Sequence, residues 1–186
     1  CNNSEYDRHK SNSEVDERSL RELYLPAFKK AWEAGSLGIM TSYNQVNGTY
    51  TSEHPYLIAS ILREEWGFDG LVVSDWNSLY STDGALKNGV DLEMPAPRYF
   101  TRELVLDALD RGAATQEDID AKVLHLLTSY EKAGLFSVPM ADRSCKAGTR
   151  ENREVALNAA LGAPVLLKNE GQALPLSPFL RLCIGG

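Results

Sequence analysis

Gly70-Leu71-Val72-Val73-Ser74-Asp75 is a continuous apolar run, β-branched at its centre, that ends abruptly in a carboxylate. A strand covered on both faces has this make-up, because neither side needs polar residues, and such strands belong to parallel sheets. Two weaker signals flank it. Upstream, Ser36-Leu37-Gly38-Ile39-Met40-Thr41-Ser42-Tyr43 reads as a short buried strand. Downstream, Val90-Asp91-Leu92-Glu93-Met94 reads as another, stopped by Pro95. Starts near 37, 70 and 90 lie roughly 20–33 residues apart, which suits βαβ units.

The stretches between are helical. Pro26 fits the first turn of a helix running to about Glu33, with Gly35 after its end. A second helix opens near Pro55, puts Leu57, Ile58, Ile61, Leu62 and Trp66 on one face, and stops at Gly67. A weaker one covers Thr82–Asn88 and ends at Gly89. Another lies at roughly 100–111. The next opens with Thr115 and Asp118 in capping-box spacing, lines up Ile119, Val123, Leu126, Leu127 and Tyr130, and ends at Gly134. Asn47-Gly48 marks a turn, and the polar residues 1–18 read as loop. Residues 135–149 lose the periodicity and carry Pro139, so they read as a linker. A helix from Arg150 to Leu161 and a strand at Val165-Leu166-Leu167 then begin a second region. Strands alternating with helices predict a parallel α/β sheet, with chemistry at the carboxyl ends of its strands.

The chain has 186 residues, net charge −7, 43% hydrophobic and 24% charged residues. An acidic balance argues against nucleic acid and anionic membrane as partners. No run of about 18 apolar residues suggests a membrane span. Cys1, Cys145 and Cys183 give no disulfide framework, and His9, His54 and His125 no metal spacing, so structural thiols and surface imidazoles are expected. No Gly-rich phosphate loop and no Gly-x-Ser-x-Gly elbow is present. The opening Cys1-Asn2-Asn3-Ser4, without Met, and the close at Ile184-Gly185-Gly186 predict cuts through a longer protein.

Strand ends select the candidates. Asp75 either faces a cleft or caps the following helix. Trp76 offers an indole platform for a sugar ring, or simply packs. Tyr43 ends the preceding strand with a phenol able to donate to a carboxylate or ligand oxygen. Met40 reads as core filler. Asp91 and Glu93 point to opposite sides of their strand and read as structural carboxylates. Glu17-Arg18 and Arg21-Glu22 read as a solvated or salt-bridged surface. An acid and a large aromatic at one strand end suit carbohydrate chemistry.

The stretches 40–48 (Met-Thr-Ser-Tyr-Asn-Gln-Val-Asn-Gly), 62–76 (Leu-Arg-Glu-Glu-Trp-Gly-Phe-Asp-Gly-Leu-Val-Val-Ser-Asp-Trp) and 89–95 (Gly-Val-Asp-Leu-Glu-Met-Pro), in that order, resemble glycoside hydrolase family 3 of the β-glucosidase type. Asp16–Phe28, Val165–Gly171 and Leu174-Pro175-Leu176 fit the same family. The resemblance implies an α/β fold: a partial TIM-like (β/α)8 barrel with parallel strands over 1–134, a linker over 135–149, and the start of an α/β sandwich domain over 150–186. It implies a retaining exo-acting glycosidase that releases a terminal sugar through a covalent glycosyl-enzyme intermediate. Asp75 matches the nucleophile, and Tyr43, Trp76 and Met40 match positions lining the sugar subsite. It implies no cofactor, a carbohydrate as the partner, and a periplasmic or secreted location. The family's Lys-His pair would precede Cys1 and its acid/base carboxylate would follow Gly186, so the isolated chain is expected to be inactive. Trp76 favours β-glucosidase over xylosidase-like members. The rival readings are a non-catalytic carbohydrate-binding remnant and, more weakly, a doubly wound domain of other function.

Overall fold

The computed structural model describes residues 1–138, 144, 146–181 and 183. It divides into two compact units, Cys1–Met140 and Ala141–Gly186. Of the expected linker, residues 139–143 and 145 lie outside the described residues, as do Leu182 and Ile184-Gly185-Gly186.

In the first unit the strands are β1 (Asn12–Ser13), β2 (Gly38–Met40), β3 (Gln45–Val46), β4 (Thr49–Tyr50) and β5 (Leu71–Val73). The helices are α1 (Glu17–Ser19), α2 (Leu25–Glu33), α3 (Thr82–Asn88), α4 (Arg102–Asp110) and α5 (Gln116–Lys132). β2 pairs with β5 in parallel, Met40 opposite Val73. Val73 makes a parallel bridge to Leu92. The expected parallel order of the three strands therefore stands. The third is reduced to that single bridge, where the Asp91 carboxylate takes the Val72 N–H. Its backbone meets β5 from Asp91 N–H to Val72 O at 2.7 Å, and beyond it from Ser74 N–H to Leu92 O at 3.0 Å and from Met94 N–H to Ser74 Oγ at 2.9 Å.

Other expectations need correction. Residues 1–18 are not all loop. β1 pairs in parallel with β3, and α1 starts at Glu17 behind an Asp16 cap. One helical stretch then runs on through a π-helical turn, Leu20–Tyr24, into α2. The helix opening at Pro55 is a π-helical segment, Pro55–Glu65, burying Ile58, Ile61 and Leu62. β2 is not buried on both faces: Met40 is 58% exposed. On α5 the capping box forms as expected, yet Val123, Leu127 and Tyr130 are exposed. Asn47 and Gly48 both take positive φ, the geometry that joins β3 tightly to β4. In the second unit α6 (Arg150–Gly162) forms. Val165-Leu166-Leu167 is not a strand but exposed coil, since among the described residues no neighbour completes a ladder for it and a lone strand gains nothing.

The core lies against β5. Ile58, Leu62, Phe68, Val72, Leu79, Ala85 and Val90 are buried together, each large side chain contributing about 1.5–3 kcal/mol. A smaller cluster joins Leu86, Ala108 and Ala114. Gly70 lets the two central strands meet: a Cβ there would stand 2.4 Å from Leu37 O. Across the strand starts, Ser129 Oγ of α5 donates to Leu37 O at 3.0 Å and accepts from Leu71 N–H at 2.8 Å.

Asp91 is the polar anchor of this core, with a side chain only 2% exposed. Its Oδ2 accepts from Arg63 Nη2 at 2.6 Å and from Val72 N–H at 2.7 Å. Its Oδ1 meets His125 Nδ1 at 2.9 Å. Arg63 also donates to Phe68 O at 2.8 Å and Gly70 O at 2.7 Å, holding the turn into β5. His54 is likewise buried, not at the surface: its Nδ1 caps Leu57 N–H at 3.3 Å and its Nε2 meets Val46 O at 3.1 Å. Burial lowers its pKa.

Lys122 Nζ donates to Gly89 O at 3.1 Å and Val90 O at 2.9 Å. Burial pushes this ammonium down to about 8, with Asp91 opposing the fall and Arg63 adding to it. A group whose folded pKa is lowered binds its proton more weakly when folded. Its penalty is therefore fully present below pH 8 and relieved as pH rises toward the unfolded value, 10.5. Between pH 7.5 and 10.5 the stability of wild type relative to Lys122→Met is expected to rise by about 3 kcal/mol. Urea midpoints of the two proteins across that range check it. A flat difference would place the Lys122 ammonium in water.

Candidate active site

Parallel pairing brings the carboxyl ends of β2 and β5 side by side, and with them Tyr43 and Asp75. Asp75 follows β5 in a tight turn. Its Oδ1 accepts from Trp76 N–H at 2.6 Å, Ser78 N–H reaches Asp75 O at 3.2 Å, and Asn77 takes φ +60. The helix that follows, α3, is capped by Ser81, so Asp75 is not its cap and the carboxylate is left at the strand end. It is partly exposed there.

The Tyr43 phenol lies within electrostatic reach of the Asp75 carboxylate. Burial first, and the neighbouring Asp75 second, raise the Tyr43 pKa, so the phenol stays protonated beside the carboxylate. Trp76 projects into solvent, 61% exposed, beside the carboxylate. Met40 lines an apolar groove with Leu20, Ile39, Thr41 and Ile61. Three of the four expected site residues are thus gathered at one place, with Met40 on the adjoining groove.

Arg8 belongs to the site and was not expected from the sequence. Its guanidinium lies 4.0 Å over the centroid of the Tyr43 ring and is held by Glu5 Oε2 at 2.8 Å. The bond to Glu5 leads in raising its pKa, and the charges of Tyr43 and Asp75 act in the same direction. A cation over a phenol ring is an attractive contact in its own right. His9 stands edge-on to the same ring at 4.5 Å. Nothing local marks these residues: they sit in a polar loop and reach Tyr43 across more than thirty positions. The pairing of β1 with β3 is what brings the loop back.

Glu93, at the end of the third strand, is 7% exposed. It accepts from the backbone N–H groups of Arg98 at 3.0 Å, Tyr99 at 3.0 Å and Phe100 at 2.8 Å. With its oxygens engaged in that way it shapes the loop after Met94, and Asp91 shapes the core. Both are structural carboxylates, as the sequence suggested. Among the described residues no three His, Cys, Asp or Glu groups gather to hold a metal ion, and no helix is long and apolar enough to cross a membrane.

Residues 2–129 match the model of the glycosyl hydrolase family 3 N-terminal domain. A β-glucosidase from Rhizobium radiobacter is 42% identical over 189 residues, covering 100% of this chain and 23% of that protein. A β-glucosidase from Kluyveromyces marxianus, solved in complex with glucose, superposes with a TM-score of 0.80 at 41% identity, covering 95% of this chain and 22% of that one. A β-glucosidase from Streptomyces venezuelae, solved in complex with D-glucose, gives a TM-score of 0.83 at 33% identity, covering 95% and 24%. The chain therefore spans less than a quarter of the length of these relatives.

Proposed function

Because the chain belongs to glycosyl hydrolase family 3, and is β-glucosidase-like within it, we propose that it supplies the nucleophile of a retaining exo-glycosidase acting on β-glucosides. The observation that carries this is the placement of the Asp75 carboxylate just past the end of β5, beside the parallel strand that leads to Tyr43. In this reading residues 1–134 belong to a TIM-like barrel and residues from 150 open a sandwich domain. The acid/base carboxylate is supplied by another part of the full-length protein.

The chemistry assigns each group a task. A retaining enzyme needs a carboxylate to attack the anomeric carbon and a second carboxyl about 5–5.5 Å away to protonate the leaving oxygen. Asp75 attacks. Its short side chain, tied to Trp76 N–H, loses little freedom when the sugar arrives. The Tyr43 phenol orients the attacking carboxylate. Arg8 balances charge around the pair, and the Trp76 indole offers a face on which a pyranose stacks.

A 2-fluoro β-glucoside with a good leaving group, applied to the full-length protein, is expected to arrest it as a covalent adduct. Peptide mass mapping is expected to find the label on Asp75. Label on a different carboxylate would overturn the assignment.

A further inference from the structure

Tyr80 joins four segments that meet at the site. Its hydroxyl donates to Tyr43 O at 2.8 Å and meets His9 Nδ1 at 3.0 Å. Its ring stacks on Tyr50 of β4 with centroids 3.6 Å apart. The Tyr50 hydroxyl in turn donates to His9 O at 3.1 Å. Tyr80 lies only five residues after Asp75, on the same loop. The Tyr80 hydroxyl thus ties the loop that begins at Asp75 to the Tyr43 carbonyl and to His9. A loop pinned in this way leaves the carboxylate at its start fewer orientations, which is what attack along a fixed line requires.

We propose that Tyr80 is a positioning residue for Asp75, its hydroxyl pinning the loop that carries the carboxylate to His9 and to the Tyr43 carbonyl. This rests on the reading of Asp75 as nucleophile, and it adds a role for a residue that touches neither the sugar nor the carboxylate. A ring of packed aromatics could also exist for stability alone, so the test separates rate from fold.

In the full-length protein, Tyr80→Phe keeps the ring on Tyr50 and removes the hydroxyl. The readout is the rate of trapping by a 2-fluoro β-glucoside. The amplitude of leaving-group release counts competent sites, so the rate constant is read per folded site. Trapping and kcat are expected to fall about three- to tenfold, the loss of one hydrogen bond, with Kd for glucose within about twofold and Tm nearly unchanged. His9→Phe, which keeps an aromatic edge toward Tyr43 but loses the nitrogen facing Tyr80, is expected to slow trapping in the same direction. A wild-type rate per competent site in both variants, whatever happens to amplitude or Tm, would overturn the proposal and leave Tyr80 as packing. Label mapped away from Asp75 in the wild-type protein would instead remove the nucleophile assignment on which the proposal stands.

Discussion

Asp75→Asn in the full-length protein is expected to lower turnover of an aryl β-glucoside by several powers of ten while leaving the fold intact. Asparagine preserves the shape, and its amide oxygen still accepts from Trp76 N–H. What disappears is the charge that attacks the anomeric carbon. Each power of ten is about 1.4 kcal/mol of barrier, and removing covalent catalysis takes away a whole step, not one contact. Glucose binding and Tm are expected to survive, since Asp75 has none of the buried pairing seen at Asp91. Asp75→Ala opens space at the same point. Added azide is expected to restore part of the turnover there by attacking from the vacated face, giving the inverted α-glucosyl azide. Wild-type turnover by Asp75→Asn in a clean preparation, or azide acceleration with retained configuration, would end the assignment.

The second large effect concerns stability. Asp91→Ala is expected to cost about 3–5 kcal/mol, the usual result of removing one partner from a buried ion pair. The reason lies in what is left behind. The Arg63 side chain is only 16% exposed, and burial already lowers its pKa against the opposing pull of Asp91. Without Asp91 its charge is uncompensated, and Val72 N–H loses its acceptor in the middle of β5. Asp91→Asn retains an oxygen for that amide and is expected to lose less. The urea midpoint of the transition that unfolds this unit, at unchanged slope, measures both. A loss under about 1 kcal/mol for Asp91→Ala would mean that water reaches Arg63 and replaces the carboxylate.

The sequence was readable where short-range rules govern. Leu71–Val73 announces its strand by β-branching and unbroken apolarity, and Thr115 with Asp118 announces a helix start because the two side chains bond each other's backbone. Asn47-Gly48 announces its turn because both residues tolerate positive φ. Asp75 and Tyr43 were singled out because strand ends in parallel sheets collect chemistry, and the parallel β2–β5 pairing sets them side by side. The unread parts depend on distance along the chain. β1 is two polar residues with no pattern, and only its pairing with β3 makes it a strand. Arg8, His9 and Tyr80 carry no local mark, because the partners that draw them to the site lie 30 to 71 residues away and no periodicity encodes that. Val165-Leu166-Leu167 shows the opposite failure: an apolar run names a preference, while a strand also needs a neighbour. The Pro55 helix was placed correctly, but its wider π winding has no signature in hydrophobic spacing.

The Ser129 hydroxyl wedged between Leu37 and Leu71 also sets a timetable for the protein as it is made. It bonds Leu71 across 58 positions and Leu37 across 92. A ribosome adding about 5–20 residues per second emits Leu71 some 3–12 s before Ser129. During that interval β2 and β5 already exist as chain but lack the hydroxyl that joins their starts and the helix that covers them. The nascent sheet must wait with its edge open to other chains. Synthesis rate and chaperone occupancy over those few seconds therefore bear on the yield of folded protein as directly as any contact in the finished core.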